Sequence, residues 1–333
     1  MSVMEESFYD RSMELSDELL RGAIDSHIHA GPVLMSNPGR LDPFQVAEQA
    51  KAAGMRAIVF YDVFGTSGGT AWLVSRRVSG IDVFGGMILS SCQGGLNPRA
   101  VKTALYYGSG VKFVSLGAHC THFKTTTEAR LVDGKLIPIK DRYPKFAKEE
   151  VSLAIKIPLN DPLPPELEEI LKLIADHPDV YLNTGHVSGE EVMRLLDLAD
   201  RFGIKKVLVA HPARLQLTLE QQKEASLRGA FLEGALVDWL YPSVPRTHYY
   251  VEKEYMDETC LLKGRMTAAA WANQIRAVGT EHFVLATDYG IRAASAPLEG
   301  MRTLITTLLD MEFSVGEIQA MIATNPARLL GLD

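Results

Sequence analysis

Short apolar runs alternate with amphipathic stretches along nearly the whole chain. That alternation predicts βαβ units built around a parallel sheet. The first predicted strand covers residues 22–29. Asp42-Pro43, an N-cap followed by proline at the first helical position, opens a helix that Gly54 closes. Residues 56–61 (RAIVFY) read as strand two. They are followed by a glycine-rich loop with Gly65, Gly68 and Gly69, a helix over 70–78, and strand three over 82–89. Asn97-Pro98 caps the next helix, and residues 111–116 form strand four.

The rhythm then breaks. Residues 117–165 carry no long helical pattern, contain an Asp133-Gly134 hairpin signal and end in the proline-rich IPLNDPLPP. A loop of this length inside a compact domain reads as a lid or binding element. Helical spacing resumes at Leu167, Ile170, Leu171 and Ile174, with strand five at 180–184. Ser188-Gly-Glu-Glu191 has the form of a capping box, and its helix stops at Gly203. Strand six covers 206–210, strand seven 230–234 and strand eight 282–287, with helices over 218–228 and 267–278. Two more helices follow, over 298–309 and from Ser314.

Eight strands in this order give the α/β class and the count of a (β/α)8 TIM barrel, whose active sites lie at the C-terminal ends of the strands. A doubly wound open sheet would carry a glycine-rich phosphate turn after strand one, and this chain has none there. The barrel needs about 250 residues. The 333 residues therefore read as one domain, with an N-terminal extension at 1–21, a lid insertion at 117–165 and a C-terminal helix.

Composition narrows the partners. A net charge of −7 without a long Lys/Arg run lacks the clustered positive charge that nucleic acid requires, so no nucleic-acid partner is expected. No apolar stretch approaches the roughly 20 residues that span a bilayer. The first 20 residues are acidic and mixed, unlike a signal peptide, so the expectation is a cytoplasmic protein without a membrane partner. Three dispersed cysteines without CxxC spacing indicate neither a disulfide framework nor a thiolate metal site.

Histidine placement carries the chemistry. His27 and His29 end strand one, His186 follows strand five, His211 follows strand six and Asp288 follows strand eight. Residues i and i+2 of a strand share a face, so His27 and His29 project together into the barrel mouth. Each residue alone has an ordinary explanation as a strand-end or turn polar group. Together, on one rim, they form a metal site, with imidazole and carboxylate donors suited to Zn2+ first, or to Mn2+ or Fe2+.

These positions also carry a family resemblance. DSHIHAGP after strand one, TGH after strand five, AHP after strand six, TD after strand eight and the terminal TNPARLLGL resemble the amidohydrolase superfamily of metal-dependent (β/α)8 enzymes. RGAIDSHIHAGP, AGMRAIVF, VFGGMILS, GGLNP and GHVSGEE resemble a branch of it of unknown function. The resemblance implies hydrolysis of an amide, lactam or ester-like bond of a small molecule. In that chemistry a divalent ion lowers the pKa of a water to about 7 and polarises the carbonyl. It further implies that Asp288 accepts the water's proton and passes it to the leaving group.

Binuclear members bridge their ions with a lysine or glutamate at the end of strand four. Here Lys112 lies at the start of that strand and its end reads SLGAHCTH. One ion is expected, held by His27, His29, His186 and Asp288, with His211 beside it as base or electrostatic stabiliser. Glu233, His119 and His122 are the candidates for a supporting role or a second site. With Asp25 as a leading aspartate, the chain also resembles the amidohydrolase-related decarboxylases and hydratases, which act around one metal. That alternative implies a small aromatic or unsaturated carboxylic acid as substrate.

Loops after strands seven and eight offer Tyr241, Arg246, His248 and Arg292 to a substrate, since arginine binds carboxylates bidentately. Barrels of this type are often homo-oligomers, so the 117–165 segment is either a lid or a subunit contact.

Overall fold

The computed structural model describes residues 8–31, 40–213, 217–240, 266–290 and 295–332. Eight parallel barrel strands follow one another in chain order. The first is Ile24–His29 and the second Ala57–Tyr61. The third runs as Asp82–Gly85 and continues as Met87–Ile88, and the fourth is Phe113–Ser115. The fifth is Tyr181–Asn183, the sixth Val207–Val209, the seventh Phe231–Ala235 and the eighth Phe283–Ala286. Neighbours pair in parallel from first to third and from the continuation of the third to the eighth.

Two joints make these pieces one ring. The third strand is interrupted only at Gly86, where a Cβ would lie 1.9 Å from the Phe113 ring, so glycine is what lets the strand pass that side chain. On the other side the first strand bonds to the chain leaving the eighth. His29 N–H donates to the Tyr289 carbonyl at 2.8 Å, and Asp288 N–H donates to the His27 carbonyl at 2.9 Å. Gly290 is required at that seam, because a Cβ there would fall 1.4 Å from the His29 carbonyl oxygen. Asp25 reinforces it, accepting from Thr287 N–H at 3.1 Å and from the Thr287 hydroxyl at 2.6 Å.

The interior is filled as a barrel core should be. Ile24, Val59, Tyr61, Phe113, Tyr181, Leu208, Phe231 and Val284 pack inside, and the C-terminal helix Asn325–Leu330 closes the lower end with Ala327, Leu329 and Leu330. Lys112 Nζ donates to the Leu330 carbonyl at 3.1 Å, which places this lysine at the end of the barrel opposite the histidines. Two apolar layers between strands and outer helices complete the core.

Helix boundaries follow the capping chemistry. Asp42, Ser188, Thr218 and Ser314 each close a capping box, opening Pro43–Ala52, Gly189–Phe202, Leu219–Leu227 and Val315–Gln319. Two elements depart from the sequence reading. Gly68 and Gly69 belong to the helix Gly68–Ser75 and not to a loop. The N-terminal extension contains a helix, Phe8–Leu20, that lies against the helix Pro297–Asp310 and buries Leu19 and Leu20.

The two ends of the long insertion after the fourth strand are stitched to each other. Thr121 bridges Ile155, and His122 N–H donates to the Ile155 carbonyl at 2.7 Å. Between these points lie the short helix His122–Thr127 and the antiparallel hairpin Ala129–Val132 with Lys135–Pro138, turned at Asp133-Gly134. Farther on, Ile157 N–H donates to Glu191 Oε1 at 2.8 Å, so the capping-box glutamate of the following helix also fixes the returning chain. No helix of the described residues is long and apolar enough to cross a membrane.

Candidate metal centre

The C-terminal ends of strands one, six and eight bring His27, His29, His211 and Asp288 to one point, and strand seven places Glu233 beneath them. Donor atoms of His27, His29 and Asp288 lie within 4.8 Å of one another, as do those of His27, His211 and Glu233. His29 Nε2 is 2.8 Å and His27 Nε2 is 3.4 Å from Asp288 Oδ1. His211 Nε2 stands 3.5 Å from Asp288 Oδ2 and 3.6 Å from Glu233 Oε2. His27, His211 and Glu233 are buried, and His29 and Asp288 are partly so.

Each of the three imidazoles is oriented from behind. His27 Nδ1 pairs with Glu233 Oε1 at 2.7 Å, His29 Nδ1 with the Tyr61 carbonyl at 3.2 Å, and His211 Nδ1 with Asp238 Oδ1 at 2.9 Å. All three partners accept, so Nδ1–H is the donor in each pair and the neutral ring presents its Nε2 lone pair to the centre. His27 Nε2 and His29 Nε2 face each other at 3.3 Å, a separation that calls for a proton or a metal cation between them.

The electrostatics of the cluster make the same demand. Burial opposes charge on His27, yet the carboxylates of Asp288 and Glu233 outweigh it and push this imidazole up to about 9. Burial would raise the carboxyls of Glu233 and Asp288, but His27 and the neighbouring imidazoles hold both below the usual carboxylate range. Asp25, the seam residue, is pushed up to about 7 by burial against the hydrogen bonds from Thr287 and His27. His211 Nε2 and Glu233 Oε2 are buried and have no hydrogen-bond partner among the described residues. Orphaned buried polar atoms aimed at an anionic centre fit a divalent cation, and the donor set of imidazole and carboxylate suits zinc or a similar transition metal.

Backbone conformation marks the same place. His211 and Asp288 both hold left-handed φ values, +42° and +52°. Such residues cost about 1–3 kcal/mol each and collect at functional sites, where the surrounding structure holds them in place.

The structure brings His186 next to His211. Its ring lies 5.2 Å from that of His211 and 5.4 Å from that of His119. The turn that carries it is pinned, since His186 N–H donates to the Gly117 carbonyl at 3.0 Å and Thr121 Oγ1 to the His186 carbonyl at 2.5 Å. His119 Nδ1 pairs with Glu128 Oε2 at 3.3 Å at the start of the hairpin. Among the described residues, none of the ring contacts or hydrogen bonds at the centre involves the His122 side chain, which opens the short helix of the insertion. Tyr241, Arg246, His248 and Arg292 lie outside the described residues.

Three residues of the centre escape sequence reading: Asp238, Tyr61 and Glu128. Asp238 alone carries a signal, a single carboxylate in the apolar run GALVDWL, five residues after Glu233.

Comparison with known proteins agrees with this architecture. A model described as a family of unknown function (DUF6282) matches residues 22–233. No curated protein matches the chain. Solved structures share its fold. The probable dipeptidase PvdM from Pseudomonas aeruginosa is 12% identical, with a TM-score of 0.59 over 96% of this chain and 98% of that one. An amidohydrolase from Burkholderia multivorans is 12% identical, with a TM-score of 0.53 over 93% of this chain and 99% of the other, and another crystal form of it contains zinc. A Pseudomonas aeruginosa amidohydrolase is 13% identical, with a TM-score of 0.53 over 96% and 98% of the two chains. At these identities the likeness is one of fold, a TIM barrel.

Proposed function

We propose, from the premise that the chain belongs to DUF6282, a family of unknown function, and has the amidohydrolase TIM-barrel fold, that it is a metal-dependent hydrolase. Its substrate class is a small molecule with an amide, lactam or ester-like bond. One observation carries the reading: three imidazole Nε2 atoms and the Asp288 carboxylate converge, and each imidazole is held in the metal-binding tautomer by an acceptor on its far side.

His27, His29 and Asp288 would hold a single divalent ion, with His211 adjoining and His186 flanking it. Zinc is the first choice for this donor set. When bound, the ion supplies a water of lowered pKa and polarises the scissile carbonyl. Asp288 then has two tasks, divided between its oxygens. Oδ1 faces the strand-one histidines, and Oδ2, 3.5 Å from His211 Nε2, is placed to take the proton of the attacking water and deliver it to the leaving group. His211, its Nδ1–H committed to Asp238, offers Nε2 toward the same space and orients the reacting groups.

A second reading has a specific observation behind it. The fourth strand, at whose end binuclear amidohydrolases carry the residue that bridges two ions, ends here on Ser115, and its hydroxyl donates to Asn183 Oδ1 at 3.4 Å. A one-ion site led by Asp25 also suits decarboxylation or hydration of a small unsaturated or aromatic carboxylic acid.

The discriminating experiment incubates zinc- or manganese-loaded protein with panels of lactones, lactams, amides and arylcarboxylates, reading acid release and carbon dioxide separately. The hydrolase reading expects acid release that stops on chelation. Carbon dioxide from an arylcarboxylate without hydrolysis of any ester or amide would replace it with the lyase reading.

A further inference from the structure

Tyr61 touches both strand-one histidines in different ways. Its ring stacks on the His27 imidazole with centroids 3.7 Å apart and planes within 18°, and its backbone carbonyl accepts from His29 Nδ1 at 3.2 Å. The other face of the ring stacks on Phe113 at 4.0 Å, so Tyr61 is clamped between the metal-facing imidazole and the barrel core. Phe113 in turn is seated over Gly86, where no side chain would fit.

The hydroxyl is anchored as firmly as the ring. Tyr61 Oη lies 3.0 Å from Tyr181 Oη and accepts from Asn183 Nδ2 at 3.2 Å. Asn183 is itself fixed, because its Oδ1 accepts from Gly185 N–H at 2.8 Å and from the Ser115 hydroxyl at 3.4 Å. Burial keeps the Tyr61 phenol neutral, with its pKa far above the ordinary value. The network therefore runs from strands four and five through Tyr61 to strand one. Buried polar networks of this kind cost stability when half satisfied and impose a unique geometry when complete.

We propose that Tyr61 is a positioning residue of the metal centre. Stacked on His27 and tethered through its hydroxyl, it sets the ring plane of His27 and the register of the His29 acceptor, so that both Nε2 atoms meet at the cation position. Glu233 fixes where the His27 ring points, and Tyr61 fixes how it is rotated. The inference rests on the metal-site reading and adds to it a residue that ligates nothing.

Three proteins test it: the parent chain, Tyr61→Phe and Tyr61→Leu, each titrated with Zn2+ by competition and with Co2+ by visible absorption, after circular dichroism has shown that each is folded. The phenylalanine variant keeps the stacked face and loses the hydroxyl tether, so its affinity should fall less than that of Tyr61→Leu and its cobalt spectrum should stay nearer the parent's. Tyr61→Leu loses the aromatic face, and its Zn2+ affinity should fall by about 10–100-fold with a shifted cobalt spectrum, the range seen when groups supporting metal ligands are removed. A folded Tyr61→Leu with parental affinity and spectrum would reduce Tyr61 to core packing and overturn the proposal. If the leucine variant does not fold, Tyr61→Met takes its place with the same two outcomes. A parent chain that binds neither ion overturns the metal-site reading itself, a result distinct from parental behaviour of the variants.

Discussion

Asp288→Asn is expected to lower turnover by about 10²–10⁴-fold, the usual contribution of a positioned acid–base group. Asparagine is nearly isosteric with aspartate and tolerates the left-handed backbone found at this position. Its Oδ1 can still approach His29, so fold and much of the metal affinity should survive. It cannot accept a proton from the attacking water. Measured on a substrate identified by the hydrolysis panel, kcat should collapse while the thermal midpoint moves little. A variant that retains near-normal kcat would remove Asp288 from the proton path.

Glu233→Ala has the largest expected effect on stability. The carboxylate is wholly buried, and its Oε1 accepts from His27 Nδ1 at 2.7 Å. Removing it leaves a buried imidazole N–H without a partner and strips the neighbouring charges of their balance. Breaking a buried charge pair from one side costs about 3–5 kcal/mol. Metal affinity should fall as well, by about 10–100-fold, because the His27 tautomer and ring direction are no longer imposed. Glu233→Gln, which retains an amide oxygen to accept from His27, should lose less of both. Urea unfolding and zinc competition on the two variants check this, and an alanine variant with the parental midpoint and affinity would show that Glu233 does not support the centre.

Much of the fold is legible because its signals are local. The capping boxes at Asp42, Ser188, Thr218 and Ser314 mark helix starts with two hydrogen bonds each, and their residues are contiguous in sequence. The alternation of apolar runs gives the strand order, and period two puts His27 and His29 on one face. The N-terminal helix is not legible, because its polar stretch becomes helical by packing against Pro297–Asp310, a partner nearly 300 residues away.

The site divides in the same way. Rim position follows from strand ends, so His211 and Asp288 can be found by counting elements, and Glu233 stands out as a lone carboxylate in an apolar strand. Which groups stand behind the imidazoles depends on neighbours across the barrel. Asp238 is a lone carboxylate in an apolar run, and only the left-handed turn at His211, which aims Nδ1 at it, gives it a role. Tyr61 reads as the end of an apolar strand, and only the closed ring of strands sets its face on His27. His186 also follows from the element order, and the bonds of its turn to Gly117 and Thr121 hold its ring between His119 and His211.

The central claim is that these converging imidazoles and Asp288 form a centre for one divalent ion. Elemental analysis of the zinc-loaded chain after gel filtration, run beside a His27→Ala, His29→Ala double variant, tests it most directly. The account predicts one ion per chain for the parent and none retained by the double variant. A parent that retains no ion, or a double variant that holds as much zinc as the parent, would contradict it.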